Sequence, residues 1–204
     1  MSATGLLVGD VLQLTVSHCE FSECGIGTSI DAGLSLSVIN TEASFSHVLY
    51  AKCRRGLFLR EEIPGRLTFS GSRMTFADNA IGVHTLPAQS GLGFSSATIG
   101  TSIFAENGEG LLLGQPGVFV SRTVAFNSGT VTGSFIAAFD PEFRGASAGD
   151  YRLTPSSPAI DRITIQAGFP IETLDGDLST NPLQDYGALE FAPLSRREAL
   201  LHED

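Results

Sequence analysis

Short runs in which hydrophobic and polar residues alternate cover most of the chain. Five of them are rich in Ser, Thr, Val and Ile and end in an aromatic residue: LTVSHCEF, ASFSHVLY, FSGSRMTF, SATIGTSIF and VFVSRTVAF. Alternation with a period of two and β-branched side chains are typical of β-strands. No segment between the runs offers the roughly 10–12 residues of helical periodicity that a βαβ unit needs. The pattern therefore predicts an all-β protein.

A short motif follows the end of each run and repeats along the chain. It reads aromatic, two residues, Asn or Cys, two residues, Gly, and occurs as FSECGIG, YAKCRRG, FADNAIG and FAENGEG, with a weaker copy FNSGTVTG. The aromatic positions are Phe21, Tyr50, Phe76, Phe104 and Phe126, at intervals between 22 and 29 residues. Repeats of roughly 20–50 residues indicate a solenoid or a propeller. Two short strands per repeat favour a parallel β-helix solenoid of about five coils.

Stacking the coils converts each motif position into a column. Coils lie about 4.8 Å apart, so the five aromatic residues are expected to form one internal stack. Asn79 and Asn107 are expected to pass amide hydrogen bonds from coil to coil as a ladder. The motif glycine is expected to supply a backbone bend without a Cβ.

The repeat resembles that of the right-handed parallel β-helix proteins of the pectin-lyase-like superfamily. The C-terminal part is similar to the final coil and cap of secreted bacterial choice-of-anchor Q proteins. The matching residues are Asp140, Pro141, Phe143, Asp150, Tyr151, Leu153, Pro155, Ser157, Pro158, Ala159, Ile160, Asp161, Asp185, Gly187, Ala188 and Glu190. Arg162 and Ile163 depart from the small residue and glycine that are usual in that family. The resemblance implies an extracellular or cell-surface location, although the chain has no signal-peptide pattern at its start.

Three segments follow from the pattern and the resemblance. Residues 1–138 form the coils, residues 139–191 form the final coil and a C-terminal cap over the end of the solenoid, and residues 192–204 form a polar tail. No capping segment precedes the first recognisable coil, and open sheet edges are normally covered. Missing upstream coils or a second chain are therefore expected at the N-terminal end.

Charge and apolar run lengths exclude several classes of partner. The net charge of −10 argues against nucleic acid, which binds to clustered Lys and Arg. No apolar run approaches the ~20 residues that a membrane-spanning helix needs, so no membrane insertion is expected. The three cysteines, Cys19, Cys24 and Cys53, have no metal-like spacing and are expected to be free.

Candidate binding residues fall in an outward column three residues before each aromatic. It reads His18, His47, Arg73, Thr101 and Thr123, and one interpretation is a polysaccharide-binding strip in which Arg73 receives a carboxylate and a histidine acts as acid or base. The alternative is a set of solvated strand residues. A second candidate binding site is the basic cluster around Arg54 and Arg55. Acidic residues next to this cluster make it less favourable for an acidic sugar.

Catalytic and metal sites are less well supported by the sequence. The repeats do not supply a pair of carboxylates for glycoside hydrolysis. Asp175, Asp177, Ser179 and Asn181 alternate like calcium ligands, but Tyr186 stands where a bidentate Glu is expected, so an acidic turn is favoured over a Ca²⁺ site, and no other metal or cofactor is predicted. Three functions stay open: a polysaccharide-binding module without complete catalytic machinery, a polysaccharide lyase or glycoside hydrolase fragment, and a structural or adhesive stalk.

Overall fold

The computed structural model describes residues 3–9, 11–32, 40–61, 67–86, 96–114, 117–164, 171–172, 178–179 and 183–188. The strands in chain order are β1 (Thr4–Val8), β2 (Gln13–Ser22), β3 (Ile26–Ala32), β4 (Thr41–Ala51), β5 (Arg55–Glu61), β6 (Leu67–Ala77), β7 (Ile81–Leu86), β8 (Ser96–Gly100), β9 (Ile103–Ala105), β10 (Glu109–Leu113), β11 (Val118–Phe126), β12 (Ser134–Ala137), β13 (Phe143–Gly145), β14 (Asp150–Leu153), β15 (Ile163–Thr164), β16 (Ile171–Glu172), β17 (Leu178–Ser179) and β18 (Leu183–Gln184). Within these residues the only helix is a 3₁₀ turn, Ala146–Ala148. The expected all-β class is confirmed.

Two parallel sheets build the solenoid. The first has five strands in the order β1-β3-β5-β7-β10, and the second has seven in the order β12-β11-β8-β6-β4-β2, with β9 beside β6 and β11. From β1 to β8, and again from β9 to β11, successive strands of the chain alternate between the sheets, so each coil lies on the previous one, as in a β-helix of the right-handed type. The solenoid has about three full turns rather than the five coils expected. The other coils are those at the two ends of the solenoid, since their strands β1, β2 and β10 lie at the edges of the sheets.

Aromatic rings form a stack through the core. Phe21, Tyr50, Phe76 and Phe104 pair in register, and neighbouring ring centroids lie 5.4, 5.1 and 4.6 Å apart with nearly parallel planes. The last three rings are fully buried. The Tyr50 hydroxyl donates a hydrogen bond to Thr28 Oγ1 at 3.0 Å, which satisfies its polar group inside the core.

The motif glycines make room for these rings. A Cβ on Gly27 would lie 2.6 Å from the Tyr50 ring, and one on Gly56 would lie 3.0 Å from the Phe76 ring. Neither glycine is among those with positive φ. The expected backbone bend is therefore wrong for these positions, and close packing of ring against backbone explains the glycine.

An amide ladder runs beside the aromatic stack. Asn79 Oδ1 accepts from Cys53 N at 2.9 Å, while Asn79 Nδ2 donates to Asn107 Oδ1 and to Tyr50 O, each at 3.0 Å. Asn107 Nδ2 then donates to Ser128 Oγ at 3.1 Å. Both amides are buried, so their hydrogen bonds satisfy backbone groups that water does not reach.

The fifth coil differs by one residue from the alignment made on the sequence. Ala125 pairs with Phe104, whereas Phe126 pairs with Ala105 and so lies outside the aromatic stack. The ladder accordingly ends in Ser128. The same shift places Arg122, and not Thr123, beside Thr101, because Ser121 pairs with Gly100 and Val124 with Ile103.

The described part of the C-terminal segment packs along the side of the solenoid. Tyr151 and Ala188 belong to one buried cluster with Leu49, Ala51 and Ala77, on the outward face of the strand ends. A second cluster joins Leu153 and Ala159 to Ile103, Ala105 and Val124. Hydrogen bonds from Ala188 N to Thr75 Oγ1 and from Tyr151 Oη to Asp78 Oδ2 fix the contact. These contacts place the described part of residues 139–191 against the outward side of the coils. Residues 192–204 lie outside the described residues.

Candidate functional site: a polar face with a corner stripe

A column of left-handed residues bends each long strand of the seven-stranded sheet. Their φ angles lie between 49° and 56°, a conformation that is uncommon outside glycine. The column consists of His18, His47, Arg73, Thr101, Arg122 and Phe135, which the strand registers place on successive levels. We call this column the corner stripe. Its first three members are the residues that the sequence selected, and the structure brings them together.

The N-terminal half of the corner stripe is a stacked pair of imidazoles beside a guanidinium. The His18 and His47 rings are 4.9 Å apart and almost parallel. Arg73 Nη1 lies 3.2 Å from His47 Nε2. Arginine can only donate, so Nε2 must accept and the proton of the neutral ring must reside on Nδ1. Nδ1 is buried and has no hydrogen-bond partner.

This arrangement keeps His47 neutral at physiological pH. Burial lowers the pKa of His47 to about 4, and the nearby charges of Arg73 and His18 act in the same direction. His47 therefore serves as a hydrogen-bond acceptor for Arg73. It is not a proton donor near neutral pH.

The depressed pKa of His47 predicts that stability falls in mild acid. As the pH falls through about 6.5 the unfolded chain takes up a proton on this residue, whereas the folded chain does not until about pH 4. We expect a loss of roughly 2 kcal/mol between these values, measured as the free energy of unfolding in urea at each pH. His47→Gln keeps an acceptor for Arg73 but does not titrate, so its pH profile should be flatter than that of His18→Gln. Equal slopes for the two variants would contradict the prediction.

The outward face before the corner stripe is covered with hydroxyl groups. We call it the hydroxyl face, and it comprises Thr15, Ser17, Ser44, Ser46, Thr68, Ser70, Ser72, Ser96, Thr98 and Ser121. Strand neighbours are about 4.8 Å apart, and residues on one strand face the same side at every second position. The hydroxyls therefore form a regular grid. Glu42 is the one charged side chain at the described positions of this face.

A shallow cleft lies on the hydroxyl face at its N-terminal end. Its volume is about 260 Å³, and it is lined by Gln13, Leu14, Thr15, Glu42, Ala43, Ser44, Thr68 and Ser70. In the described part of the chain the hydroxyls of Thr15, Ser44 and Ser70 make no hydrogen bond to protein, and all three residues are exposed. They are available as donors and acceptors for a bound molecule.

The second candidate cluster lies at a different corner of the coil. Arg54 is exposed in the turn before β5, and the Arg55 guanidinium stands 5.1 Å from the centre of the Phe58 ring. Burial, followed by the charge of Arg55, lowers the pKa of the neighbouring His84. The nearby Arg60 is paired with Asp31 at 2.7 Å. Arg54 and Arg55 therefore do not extend the corner stripe.

Comparisons with protein-family models, with curated proteins and with solved structures find no match.

Among the described residues no group of three or more His, Cys, Asp or Glu side chains is arranged to hold a metal ion. The described residues also include no helix that is long and apolar enough to cross a membrane. Of the calcium-like set, only Ser179 falls within the described backbone; Asp175, Asp177 and Asn181 lie outside the described residues.

Sequence reasoning missed the hydroxyl face and the last two members of the corner stripe, Arg122 and Phe135. The face is visible in the sequence as Ser or Thr at alternate positions, two or three to a strand in β2, β4, β6 and β8. Arg122 and Phe135 were hidden by the one-residue shift in the fifth coil, since the alignment placed Thr123 in the column.

Proposed function

We propose that this chain is a polysaccharide-binding module and that the polymer lies across the coils on the hydroxyl face. The observation that carries the proposal is the grid of exposed Ser and Thr side chains bordered by the corner stripe. A sugar chain offers hydroxyls at regular intervals, and a grid of donors and acceptors is complementary to such a ligand. The resemblance to pectin-lyase-like β-helix proteins, many of which act on polysaccharides, agrees with this interpretation.

The arrangement favours binding over catalysis. Hydrolysis of a glycosidic bond requires two carboxyl groups on opposite sides of the bond. Glu42 is the carboxylate on the described hydroxyl face, and His47, the most buried imidazole of the corner stripe, is held neutral with Nε2 directed to Arg73. A module that binds and does not cleave is consistent with these side chains.

The location that accompanies this function is the cell surface or the extracellular space. Polysaccharides are abundant there, and the resemblance to secreted bacterial β-helix proteins agrees. Upstream coils or a second chain on the open edges of β1 and β2 would lengthen the binding face, because β2 carries its first row.

The proposal is tested by affinity electrophoresis in gels that contain single polysaccharides. Thr15→Val, Ser44→Val and Ser70→Val in one chain remove three hydroxyls, place at each position a β-branched side chain that strands favour, and leave the charge unchanged. At about 1 kcal/mol for each hydrogen bond, the triple variant should bind at least tenfold more weakly than the wild type. Ser22→Val is the matched control, since Ser22 is exposed on β2 beyond the corner stripe.

Three outcomes would contradict this function. Absence of retardation of the wild type in every gel would rule out binding, and equal retardation of the triple variant would rule out the hydroxyl face. New reducing ends, or unsaturated products that absorb in the ultraviolet, would establish the lyase or hydrolase alternative.

A further inference from the structure

We infer that Cys24 and Cys53 are a site of oxidative cross-linking, at which a small-molecule disulfide oxidises the two thiols to a disulfide bond between neighbouring coils at the N-terminal end of the solenoid. Cys24 lies in the turn between β2 and β3, and Cys53 lies in the turn between β4 and β5. Both residues are free thiols in this structure. The inference does not depend on polysaccharide binding, because neither cysteine belongs to the hydroxyl face.

The backbone holds the two cysteines at the same position on neighbouring coils. Just before them, Ser22 pairs with Ala51. Just after them, Arg54 N donates a hydrogen bond to Cys24 O at 2.9 Å. Neighbouring strands are about 4.8 Å apart, and the Cα atoms of a disulfide are usually about 4.4–6.8 Å apart. The spacing of the coils therefore falls within the range of a disulfide.

The side chain of Cys53 is directed toward the coil that carries Cys24. Cys53 Sγ donates to Phe21 O at 3.5 Å, just as Asn79 Nδ2 donates to Tyr50 O at 3.0 Å one coil further on. In each case the side chain reaches back to the preceding coil. The cysteines therefore continue the amide ladder toward the N-terminal end, with a pair of thiols in place of amides.

The two cysteine side chains also interact with each other. Burial raises the pKa of Cys53 to about 11, and the charge of Cys24 and a hydrogen bond with its side chain act in the same direction. A hydrogen bond from the Cys24 backbone acts in the opposite direction. Cys19 is outside this column, because it pairs with Val48 and its thiol donates to Ser17 O at 3.3 Å. The geometry therefore selects one pair among the three cysteines.

A cross-link here would hold the end of the solenoid together. Strand β2, which leads into Cys24, lies at the edge of the seven-stranded sheet. End repeats of a solenoid open most easily, since each repeat contacts only its neighbours. A thiol is also a weaker donor and acceptor than an amide, so this part of the ladder has the weakest hydrogen bonds. A disulfide would add a covalent bond there and close a loop of about 30 residues.

The cross-link forms by two successive thiol–disulfide exchanges. The Cys24 thiolate attacks one sulfur of the small disulfide, which gives a mixed disulfide and releases the first small thiol. The Cys53 thiolate then attacks the Cys24 sulfur and releases the second small thiol. In total the two cysteines lose two electrons and two protons, and the small disulfide takes up both and becomes two thiols. Cys24 reacts first because it is half-buried, whereas Cys53 is only 2% exposed.

The test treats the reduced, folded, full chain with oxidised glutathione at pH 9, where more of the Cys53 thiol is ionised than at neutral pH. The remaining thiols are alkylated in urea, and the peptides are mapped by mass spectrometry. We expect one alkylated cysteine, Cys19, and a linked pair of peptides that contains Cys24 and Cys53. The cross-link should raise the melting temperature by roughly 5–10 °C above that of the reduced chain.

Serine variants of the three cysteines are the matched controls. Each variant is compared in its oxidised and reduced forms, so that any loss of stability caused by the substitution itself cancels. Cys19→Ser should keep the whole increase in melting temperature on oxidation. Cys24→Ser and Cys53→Ser should show no increase, because each lacks one half of the pair.

Four outcomes would overturn the inference. They are three alkylated thiols with no linked peptides, glutathione that stays attached to Cys24, a linked peptide that contains Cys19, and disulfide-joined dimers in place of the internal link. An oxidised chain that melts no higher than the reduced chain would also overturn it, because the bond would then not fit the coil spacing. None of these results affects the polysaccharide-binding proposal, whose gels are run on the reduced chain.

Discussion

Asn79→Leu should lower the free energy of unfolding by roughly 4 kcal/mol, measured by urea denaturation. Leucine has nearly the same shape as asparagine but cannot replace its hydrogen bonds. The change leaves the Cys53 N–H without its partner and removes the hydrogen bonds from Asn79 Nδ2 to Tyr50 O and to Asn107 Oδ1, at a position where Asn79 is only 2% exposed. Each unsatisfied buried group costs about 1–3 kcal/mol. Since small domains are stable by only about 5–15 kcal/mol, this one substitution should remove a large part of the total.

Two further variants check that the amide ladder is the cause. Asn127→Leu, at an exposed position where the amide reaches only Glu106 Oε1 at 3.1 Å, should cost no more than about 1.5 kcal/mol, most of it from placing leucine at a φ of 43°. Asn79→Asp keeps the acceptor for Cys53 N but buries a carboxylate, so its stability should rise as the pH falls and the carboxylate is protonated. An Asn79→Leu protein as stable as Asn127→Leu would show that the ladder contributes little.

The inner columns of the fold could be predicted from the sequence because they are constrained by contacts between identical positions. A stack of rings requires an aromatic residue in every coil, and the amide ladder requires Asn at the same offset, so Phe76 with Asn79 and Phe104 with Asn107 identify the register. The register of the fifth coil was predicted wrongly because its residue in the aromatic column is Ala125, which the aromatic motif does not identify. Phe126, the next residue in the chain, was taken in its place. A single substitution was enough to shift the alignment by one residue.

The surface of the fold was harder to predict, because outward columns have no repeated contact partner. Ala51, Ala77 and Ala105 directly follow the aromatic residue in three successive coils, and the C-terminal segment that packs on them explains why they are small. The left-handed residues of the corner stripe include His, Arg, Thr and Phe, and none of these residue types indicates a left-handed backbone in a sequence as Gly does. His18, His47 and Arg73 could be grouped from spacing alone, but the neutral state of His47 depends on burial, which the sequence does not display.

Phe76→Ala should be the most destabilising truncation of the aromatic stack, with an expected loss of about 4 kcal/mol in the free energy of unfolding. The ring is fully buried between Tyr50 at 5.1 Å and Phe104 at 4.6 Å, so its removal breaks the stack in the middle and leaves a cavity enclosed by backbone. The coils cannot collapse into that cavity, because their spacing of about 4.8 Å is fixed by the hydrogen bonds between strands. Phe76→Leu fills part of the space and should lose about half as much, while exposed Phe119→Ala should stay within about 0.5 kcal/mol of the wild type. A similar loss for Phe76→Ala and Phe119→Ala in urea unfolding would mean that the stack does not hold the coils together.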